Sequence, residues 1–522
     1  MYFDDTSEEQ KLFEDIQFKR RVQFVDDDNI IDIAVIPAPK FTEQLEATDQ
    51  ACQVNIQNEL KSSAAQTRSK KHKEIQTENF DFDAENNSDL KRVRKIFDKR
   101  AQIVEDAILE NLNTNAFQNY DVDWYGDDSG ITNPFTLINK QFLKEEESQV
   151  VAVEWNSSGT TIFCGYGRFD HESVCTHKGS VATWNVDRLK MDPNKPDNLI
   201  ETPCCVSSIS THPEHPAVVA VGLFNGEIHV YDTRQDDPLV ATVTDKKEMH
   251  TDEITNVKWV KDPKANKKKF MLLSCSKDGR ILIWNALPTK NQLKLVDGYV
   301  MLNDFLPKRN IRSLGVEMAV SSFSMNKIDK ESFIAGCDSG GLFKCSFNGK
   351  NVKDLQKWEE AFPIDLKSPV EFAFDSLHGP IHSISYSPFH RNLILTCGTD
   401  SEIKLYSVLQ SSCLMSFCPE NGYLYSVEWS PSRPCVFACA SHNGNILIYD
   451  LIEGGKDMCQ ITKASDSPIF ALSFNQQRSE YLASGDRSGV VKIWKLSSNY
   501  TKTDSYEIKK LDEISEKPFD KS

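Results

Sequence analysis

The sequence predicts an all-β protein, a seven-bladed β-propeller, and three observations lead to that fold. A short pattern of tight turn and alternating strand occurs in seven copies along the chain, and six of them close on an aromatic residue. Two further short apolar runs precede each copy, so each repeat holds several strands. The repeats are spaced by roughly 40 to 60 residues, which is typical of four-stranded propeller blades. Because one blade cannot bury both faces of its sheet, neighbouring blades are expected to pack around a ring.

The clearest copy of the pattern runs from Lys277 to Trp284. Its Asp278-Gly279 pair predicts a tight turn, because glycine accepts positive φ without steric cost and Asp can bond its own backbone. The copy that ends at Cys345 has lost the closing aromatic residue. The copies end at Trp184, Tyr231, Trp284, Cys345, Tyr406, Tyr449 and Trp494.

These copies resemble WD repeats, although the Trp-Asp ending is degenerate and Tyr231-Asp232 and Tyr449-Asp450 come nearest to it. The resemblance implies that some blades carry a buried, hydrogen-bonded set of His, Ser or Thr, Asp and an aromatic residue. The fitting residues are His250, Ser274, Asp278 and Trp284 in the third repeat, and His378, Thr396, Asp400 and Tyr406 in the fifth. Since the grouping recurs with the repeat, we interpret it as structural rather than as a hydrolytic Ser-His-Asp site.

Composition and charge argue against several classes of protein. The 522 residues carry a formal net charge of -17, which argues against binding to a nucleic-acid backbone. No apolar run approaches the roughly 18 residues that a membrane-spanning helix needs. The first residues, Met1 to Asp5, lack the basic-then-apolar order of a secretory signal.

Fourteen cysteines are spread along the chain without a Cys-x-x-Cys pair. We therefore expect no metal site, no redox motif and no cofactor. Several cysteines occupy equivalent inner-strand places, where a small residue packed between sheets explains them, because free Cys is commonly buried. These are Cys275, Cys337, Cys397 and Cys439. The chain is expected to be cytosolic and reduced.

The residues before the propeller form an extension of different character. Residues 1–60 mix acidic runs with short apolar pieces, and we interpret them as a disordered acidic tail that orders on a partner. Its apolar pieces could instead add a strand to the propeller. Residues 61–87 are polar and are expected to be extended, and residues 118–134 are a turn-rich linker.

A short strand for partner binding is predicted within residues 61–87. Lys73, Ile75 and Thr77 alternate onto one face, so the segment can add as an extra strand to an exposed sheet edge. Main-chain hydrogen bonds would supply affinity and side-chain pockets would supply selectivity. The residues of this strand site are Lys73, Ile75, Gln76, Thr77 and Glu78. A second, weaker pair, Gln66-Thr67, lies ten positions earlier and lacks the preceding Lys.

An amphipathic helix is predicted over residues 88–117. Its apolar residues recur at steps of three and four, which places them on one helical face. They are Leu90, Val93, Phe97, Ala101, Val104, Ile108 and Leu112. Ser88 or Asp89 can cap the start by accepting the first free backbone N–H groups. The helix could pack on the side of the propeller, but its place just after a flexible tail favours a helix that reaches out to a partner.

The propeller is expected to span residues 135–496. Phe135 to Asn139 form an apolar, extended piece that could close the ring by completing the last blade, so that no sheet edge stays open. Closure by residues after Leu496 is the competing possibility. Residues 497–522 are polar and are expected to fray.

The order of tail motif, amphipathic helix and seven-bladed ring resembles the dynein intermediate chains, and among them the WD-repeat chains of cytoplasmic dynein-2. Lys73 to Glu78 match the Lys-x-Thr-Gln-Thr-like motif read by the small homodimeric dynein light chain, with Ile75 replacing the first Thr. The best-matching stretches are Gly165 to His171 and Ser387 to Asp400, and the blade order agrees from about residue 150 to 496.

The resemblance implies a non-catalytic subunit of the retrograde intraflagellar transport motor, found in the cytoplasm, on the cytoskeleton, in the cilium and at the ciliary base. The propeller would bind the dynein-2 heavy chain, the helix a Roadblock-type light chain, and the strand the small homodimeric light chain. Bivalent light chains would hold this chain beside a second dynein-2 intermediate chain by raising its effective concentration. Nucleic acid and membrane insertion are not expected.

Two other functions stay open on the sequence. One is a different WD-repeat adaptor, such as an axonemal dynein intermediate chain or a ubiquitin-ligase substrate receptor. The other is an enzyme on a propeller scaffold, which would need convergent acids, a nucleophile or metal ligands facing the central channel. His212 and His215 are the closest-spaced histidine pair, and we interpret them as structural.

Overall fold

A computed structural model describes most of the chain from residue 130 to 516 and a small part of what precedes it. The described residues are 25–26, 29–30, 95, 98, 100–101, 103–106, 108–109, 130–140, 148–169, 171, 175, 177–262, 270–287, 291–305, 316–351, 362–419, 421–452, 460–503 and 505–516. The chain forms two compact units, Met1–Ala116 and Phe117–Ser522. Within the described ranges, no helix is long and apolar enough to cross a bilayer.

The first unit contains a two-stranded pair and helical residues. Strand β1 (Val25–Asp26) pairs antiparallel with β2 (Asn29–Ile30), inside the segment for which the sequence predicts an acidic tail. The described residues between 95 and 109 are helical, as the apolar spacing of residues 88–117 predicts.

The described part of the second unit contains four separate sheets of four antiparallel strands. In three of these sheets the strands are consecutive along the chain and pair in order. They are β4 (Gln149–Trp155), β5 (Thr161–Gly167), β6 (Gly179–Asn185) and β7 (Asn198–Thr202); β20 (Ile381–Tyr386), β21 (Leu393–Gly398), β22 (Ile403–Ser407) and β23 (Cys413–Phe417); and β24 (Leu424–Trp429), β25 (Val436–Ser441), β26 (Asn445–Asp450) and β27 (Gln460–Lys463). The fourth sheet consists of β28 (Ile469–Phe474), β29 (Tyr481–Asp486), β30 (Val490–Lys495) and an earlier strand, β3 (Thr132–Ile138).

The remaining twelve strands belong to one larger sheet built from three antiparallel runs of four. The runs are β8 (Val206–Thr211), β9 (Val218–Leu223), β10 (Ile228–Asp232) and β11 (Leu239–Thr242); β12 (Ile254–Lys261), β13 (Phe270–Ser276), β14 (Arg280–Leu287) and β15 (Gln292–Val300); and β16 (Val320–Met325), β17 (Ser332–Cys337), β18 (Leu342–Asn351) and β19 (Lys367–Ala373). Among the described residues, one parallel residue pair joins each two neighbouring runs: Thr242 with Gln292, and Tyr299 with Lys367. Each run is therefore a unit like the separate sheets. A 3-10 turn, Asn303–Phe305, follows β15.

The first strands of the successive runs lie side by side in a closed circle. Strand β4 contacts β8, and the contacts continue through β12, β16, β20, β24 and β28 back to β4. The recurring sequence pattern supplies the third strand of each run, for example Trp184 in β6 and Trp284 in β14. This order confirms the all-β propeller class that the repeats predict.

Side chains of one run also bond the main chain of the next. The Thr211 N–H donates to Glu154 Oε2 at 3.1 Å, and the Phe474 N–H donates to Glu428 Oε2 at 2.8 Å. Both carboxylates project from a first strand toward the following run, so they fix the position of neighbouring blades around the ring.

The ring is closed by the strand that precedes the first run. Strand β3 pairs antiparallel with β30, with Phe135 opposite Ile493 and Leu137 opposite Val491. Leu137 is fully buried, in one apolar cluster with Val491 and Ile493. The predicted closure by the piece that starts at Phe135 is confirmed, and the competing closure by residues after Leu496 is wrong. The strand begins at Thr132, inside the segment predicted to be linker.

The described residues after β30, 496–503 and 505–516, do not fray as expected. They form two helices, α1 (Ser498–Thr501) and α2 (Ser505–Glu516). Leu511 and Ile514 of α2 are buried in the cluster that contains Tyr449 of β26. The segment is polar on average, but Leu511 and Ile514 form an apolar stripe on the inner face of the helix. The expectation of a frayed tail was therefore wrong for residues 505–516.

Candidate partner-binding site

The helix of the first unit exposes apolar side chains. Ala101, Val104 and Ile108, three of the seven residues predicted to share its apolar face, are helical, and 55% of Val104 and 53% of Ile108 is exposed. Ile103 and Leu109 are similarly exposed, although the sequence pattern did not include them. Large exposed aliphatic side chains grouped on one helix are typical of a surface that another protein covers.

The electrostatic setting of this helix is mixed. Lys95 and Arg100 lie on its first described turns, and Glu105 and Asp106 lie beside the exposed aliphatic residues, all of them exposed to solvent. A charged border around an apolar centre is the usual composition of a protein–protein interface. All described residues of the helix are exposed within their own unit.

The other predicted binding residues lie outside the described part of the chain. They are Leu90, Val93, Phe97 and Leu112 of the helix, the strand residues Lys73, Ile75, Gln76, Thr77 and Glu78, and the second pair Gln66 and Thr67. The structure brings together only Ala101, Val104 and Ile108 from the predicted set.

The hydrogen-bonded set predicted in the third repeat is present. His250 Nδ1 lies 3.0 Å from Asp278 Oδ2, and His250 Nε2 lies 2.8 Å from Ser274 Oγ. Trp284 Nε1 donates to the same Ser274 hydroxyl at 2.8 Å. Burial alone would raise the pKa of Asp278, but His250 together with the backbone N–H groups of Arg280 and Thr251 outweighs burial and holds that pKa below its usual value. The set ties a turn to two strands and is buried, which agrees with its structural interpretation.

The set predicted in the fifth repeat does not assemble. His378 is exposed, and Thr396 Oγ1 is buried without a hydrogen-bond partner in the described region. Asp400 instead accepts a hydrogen bond from Lys404 Nζ at 2.7 Å. The prediction for His378, Thr396, Asp400 and Tyr406 was therefore wrong, because Lys404 on the following strand neutralises the carboxylate that the histidine was expected to meet.

A further pair of this kind was missed by sequence reasoning. Trp494 Nε1 donates to Ser484 Oγ at 2.8 Å, as Trp284 does to Ser274. In both repeats the serine lies ten residues before the tryptophan, which is the signal that could have revealed it.

Four charged side chains could suggest chemistry: Glu154, Lys258 and Glu428 lie on the first strands of their runs, and Lys327 lies in the turn after β16. Lys258 Nζ lies 3.3 Å from Glu154 Oε1, and burial raises the pKa of Glu154. Burial raises the pKa of Glu428 to about 7, against the opposing effects of its Phe474 hydrogen bond and of Lys327. Because each carboxylate already accepts a main-chain N–H from the next run, both have a structural function in holding the ring.

His212 and His215 also have a structural role. Their rings lie 4.7 Å apart, and His212 Nδ1 accepts the backbone N–H groups of Glu214 and His215 at 3.1 Å each. Burial of His212 lowers its pKa to about 4, so the ring is neutral at physiological pH. A neutral ring whose acceptor nitrogen is used by two main-chain donors stabilises the turn before β9.

Comparison with known proteins agrees with this architecture. Residues 241–285 match the family described as WD domain, G-beta repeat, and residues 309–496 match the family described as Dynein axonemal intermediate chain 3 WD40 domain. The chain is 35% identical over 422 residues to cytoplasmic dynein 2 intermediate chain 2 of Mus musculus, covering 79% of this chain and 78% of that protein.

Two further relatives extend the comparison. The Homo sapiens cytoplasmic dynein 2 intermediate chain 2 is 34% identical over 421 residues, covering 78% of this chain and 77% of that protein. Dynein intermediate chain 2, ciliary, of Heliocidaris crassispina is 24% identical over 417 residues, covering 77% of this chain and 55% of that protein. With a closed WD-type ring and such coverage, the chain belongs to the dynein intermediate chain family, among the relatives of cytoplasmic dynein 2 intermediate chain 2.

Proposed function

We propose that this chain is a non-catalytic intermediate chain of the cytoplasmic dynein-2 complex, which scaffolds light chains and a heavy chain for retrograde intraflagellar transport in cilia. The observation that carries the proposal is an exposed apolar helix placed upstream of a closed propeller, in a chain whose relatives are dynein intermediate chains. Such a chain works in the cytoplasm, on the cytoskeleton, in the cilium and at the ciliary base.

The helix is the proposed site of a Roadblock-type light chain. Val104 and Ile108 lie one turn apart and would enter an apolar groove of the partner, with Ala101 allowing close approach. Full burial of a fully exposed large aliphatic side chain contributes about 1.5–3 kcal/mol. Because only about half of Val104 and of Ile108 is exposed, burying what remains of the two contributes roughly 1.5–3 kcal/mol together, which is a substantial part of a moderate affinity.

The strand Lys73 to Glu78 is the proposed site of the small homodimeric light chain. Its backbone would pair with an open sheet edge of that partner, and Gln76 and Thr77 would occupy side-chain pockets. Two bivalent light chains would then hold this chain and a second dynein-2 intermediate chain together, because the second contact becomes intramolecular.

The propeller is the proposed site of the dynein-2 heavy chain. A ring closed by β3 and β30 presents a rigid surface. Such a surface binds a partner without losing the conformational entropy that a flexible surface loses when it becomes ordered. Heavy-chain binding should therefore persist when the light-chain sites are removed, and co-purification with a heavy chain tests this part of the proposal.

An axonemal dynein intermediate chain is the second candidate function. The matching family over residues 309–496 is described for an axonemal chain, and this observation favours it. Affinity purification of the full chain from ciliated cells separates the two functions by the heavy chain that accompanies it. Recovery of axonemal heavy chains in place of the dynein-2 heavy chain would support the second candidate.

The double change Val104→Asp and Ile108→Asp is expected to abolish binding of a Roadblock-type light chain. Two charges on the apolar face remove the burial of two aliphatic side chains, and the affinity should fall by more than about 100-fold. The measurement is a binding titration of purified light chain against the full chain. Heavy-chain binding should be unchanged.

The matched control for this change is Lys95→Asp. Lys95 is an exposed helical residue nine positions before Val104, and about half a helical turn separates the two around the axis. Lys95→Asp makes the chain more negative by the same amount as the double change does. It places the new charge on the helix face opposite Val104. Equal loss of binding by both variants, or no loss by the double variant, would contradict the assignment of the apolar face.

The double change Gln76→Ala and Thr77→Ala is expected to remove the small homodimeric light chain and to spare the Roadblock-type chain. Loss of a buried hydrogen-bonded contact costs about 1–3 kcal/mol, which is decisive for a short linear motif. The control is Gln66→Ala with Thr67→Ala, the weaker pair in the same segment, which should retain binding. The opposite pattern in a pull-down with purified light chain would place the site at Gln66 and Thr67 instead.

A further inference from the structure

Four side chains with metal-binding atoms meet where the first run contacts the second. His171, Cys175 and His177 lie in the hairpin loop between β5 and β6, and Cys205 lies directly before β8. One nitrogen or sulfur atom from each of the four lies within 4.8 Å of all the others. The fold therefore brings Cys205 close to the three loop residues, although strands β6 and β7 separate them along the chain.

The contacts of the loop hold this group in place. His171 Nε2 lies 3.2 Å from Cys175 Sγ, and the His171 ring stacks on Phe224 with 4.0 Å between ring centroids. Cys175 Sγ lies 3.5 Å from the His177 carbonyl oxygen. The loop therefore folds back on itself and rests on the second run.

The donor set is the one that zinc prefers. Two thiolates and two imidazoles form the tetrahedral Cys2His2 set of structural zinc sites. With Zn–S of about 2.3 Å and Zn–N of about 2.0 Å, tetrahedral ligand atoms lie roughly 3.3–3.8 Å apart. The observed separations are all below 4.8 Å, so side-chain movements of about 1 Å or less complete the geometry.

One of the two ring nitrogens through which His177 could bind a metal has no other use among the described residues. His177 Nδ1 is buried and makes no hydrogen bond there, while His177 Nε2 lies 3.2 Å from the Arg168 guanidinium. A metal ion at Nδ1 would satisfy a buried polar atom whose isolation is otherwise costly.

Charge balance permits a divalent cation at this place. Two thiolates neutralise the ion, and the Arg168 guanidinium that contacts His177 adds one positive charge beside the site. Burial raises the pKa of Cys205, so the ion must displace a proton from that thiol, as structural zinc commonly does.

We propose that the chain binds one Zn²⁺ ion through His171, Cys175, His177 and Cys205, which fastens the β5–β6 loop to the start of β8. This site differs from the expectation of no metal, which rested on the absence of a Cys-x-x-Cys pair. The ligands are instead spaced His-x3-Cys-x-His with one distant Cys, a spacing that becomes recognisable only when the loop is folded. The proposal does not depend on the dynein function.

The test begins with the full chain, stripped of metal by a chelator under reducing conditions and titrated with Zn²⁺ and with Co²⁺. We expect one equivalent of zinc to be retained after dialysis. Bound Co²⁺ should give a thiolate charge-transfer band and the absorption of a tetrahedral ion. These signals come from the unmodified chain, so they do not depend on whether a variant folds.

Variants then assign the ligands. Cys175→Ser and His177→Asn each remove one of the four ligands, so each should weaken zinc binding by more than the roughly tenfold that loss of an outer-shell partner costs. Cys204→Ser is the matched control, since Cys204 is the buried neighbour of Cys205 and is absent from the group of four, and it should retain one zinc. Zinc content near zero in the unmodified chain, a Co²⁺ spectrum without the thiolate band, equal loss in the Cys204 variant, or a Cys175–Cys205 disulfide under the reducing conditions would overturn the proposal.

Discussion

Leu137→Asp is expected to open the propeller and leave most of the chain aggregated. Leu137 is fully buried in β3 against Val491 and Ile493, so the change places an unpaired charge in the closing seam. Removing a buried Leu side chain alone costs about 2–5 kcal/mol, and an uncompensated charge adds to that. Without β3, the N–H and C=O groups of β30 become an open sheet edge, which promotes association between chains.

Thr136→Asp is the matched control for that change. Thr136 is the preceding residue of the same strand, and its side chain is exposed on the other face. Gel filtration and circular dichroism should show a folded monomeric ring for the Thr136 variant and aggregate for the Leu137 variant. A folded, equally stable Leu137 variant would mean that β3 is dispensable for closure.

The same reasoning defines the fragment that folds alone. A fragment of residues 130–516 retains both β3 and α2 and should be soluble and rich in β structure, whereas a fragment that starts at residue 140 should behave like Leu137→Asp. The bounds expected from the sequence, 135–496, cut into β3 and remove α2, so that fragment should be less stable than 130–516.

Glu507→Ala is expected to destabilise the propeller by about 3 kcal/mol. Glu507 of α2 is buried and accepts a hydrogen bond from Arg433 Nε at 2.7 Å, while Arg433 also pairs with Asp450 at 2.7 Å. Removing one member of a buried ion-pair network leaves the charge of its partner poorly compensated, which typically costs about 3–5 kcal/mol. We expect the low end of that range because Asp450 still pairs with Arg433 in the variant. The midpoint of urea unfolding, followed by tryptophan fluorescence, measures the loss.

Glu513→Ala is the control on the same helix. Glu513 pairs with Lys510 at 3.1 Å, but more than half of its side chain is exposed, and an exposed pair contributes about 0–1 kcal/mol. Both variants remove one negative charge from α2. Equal unfolding midpoints for the two would show that the buried Glu507 ion pair contributes no more to the stability of the ring than the exposed pair does.

The sequence by itself determined the class of fold and its repeating unit. The turn at Asp278-Gly279 is local, and Gly279 adopts the positive φ of +80° that such a turn requires. The set of His250, Ser274 and Trp284 lies within one repeat, so the spacing of these residues was sufficient to predict their contacts. Helical residues at Ala101, Val104 and Ile108 likewise follow from a local apolar period.

Only the tertiary structure decided which distant residues meet. The pairing of Phe135 with Ile493 joins the two ends of the ring, and local periodicity carries no information about a partner so far along the chain. The burial of Leu511 depends on an apolar surface made by other strands, which a polar average of the last residues cannot reveal.

The same limit explains the contacts that the spacing of residues misjudged. Lys404, and not the expected histidine, pairs with Asp400. His171 and Cys175 lie near Cys205 only in the folded chain. Which side chain pairs with a given group depends on distances and burial in the folded chain. The sequence shows only which chemical groups are present.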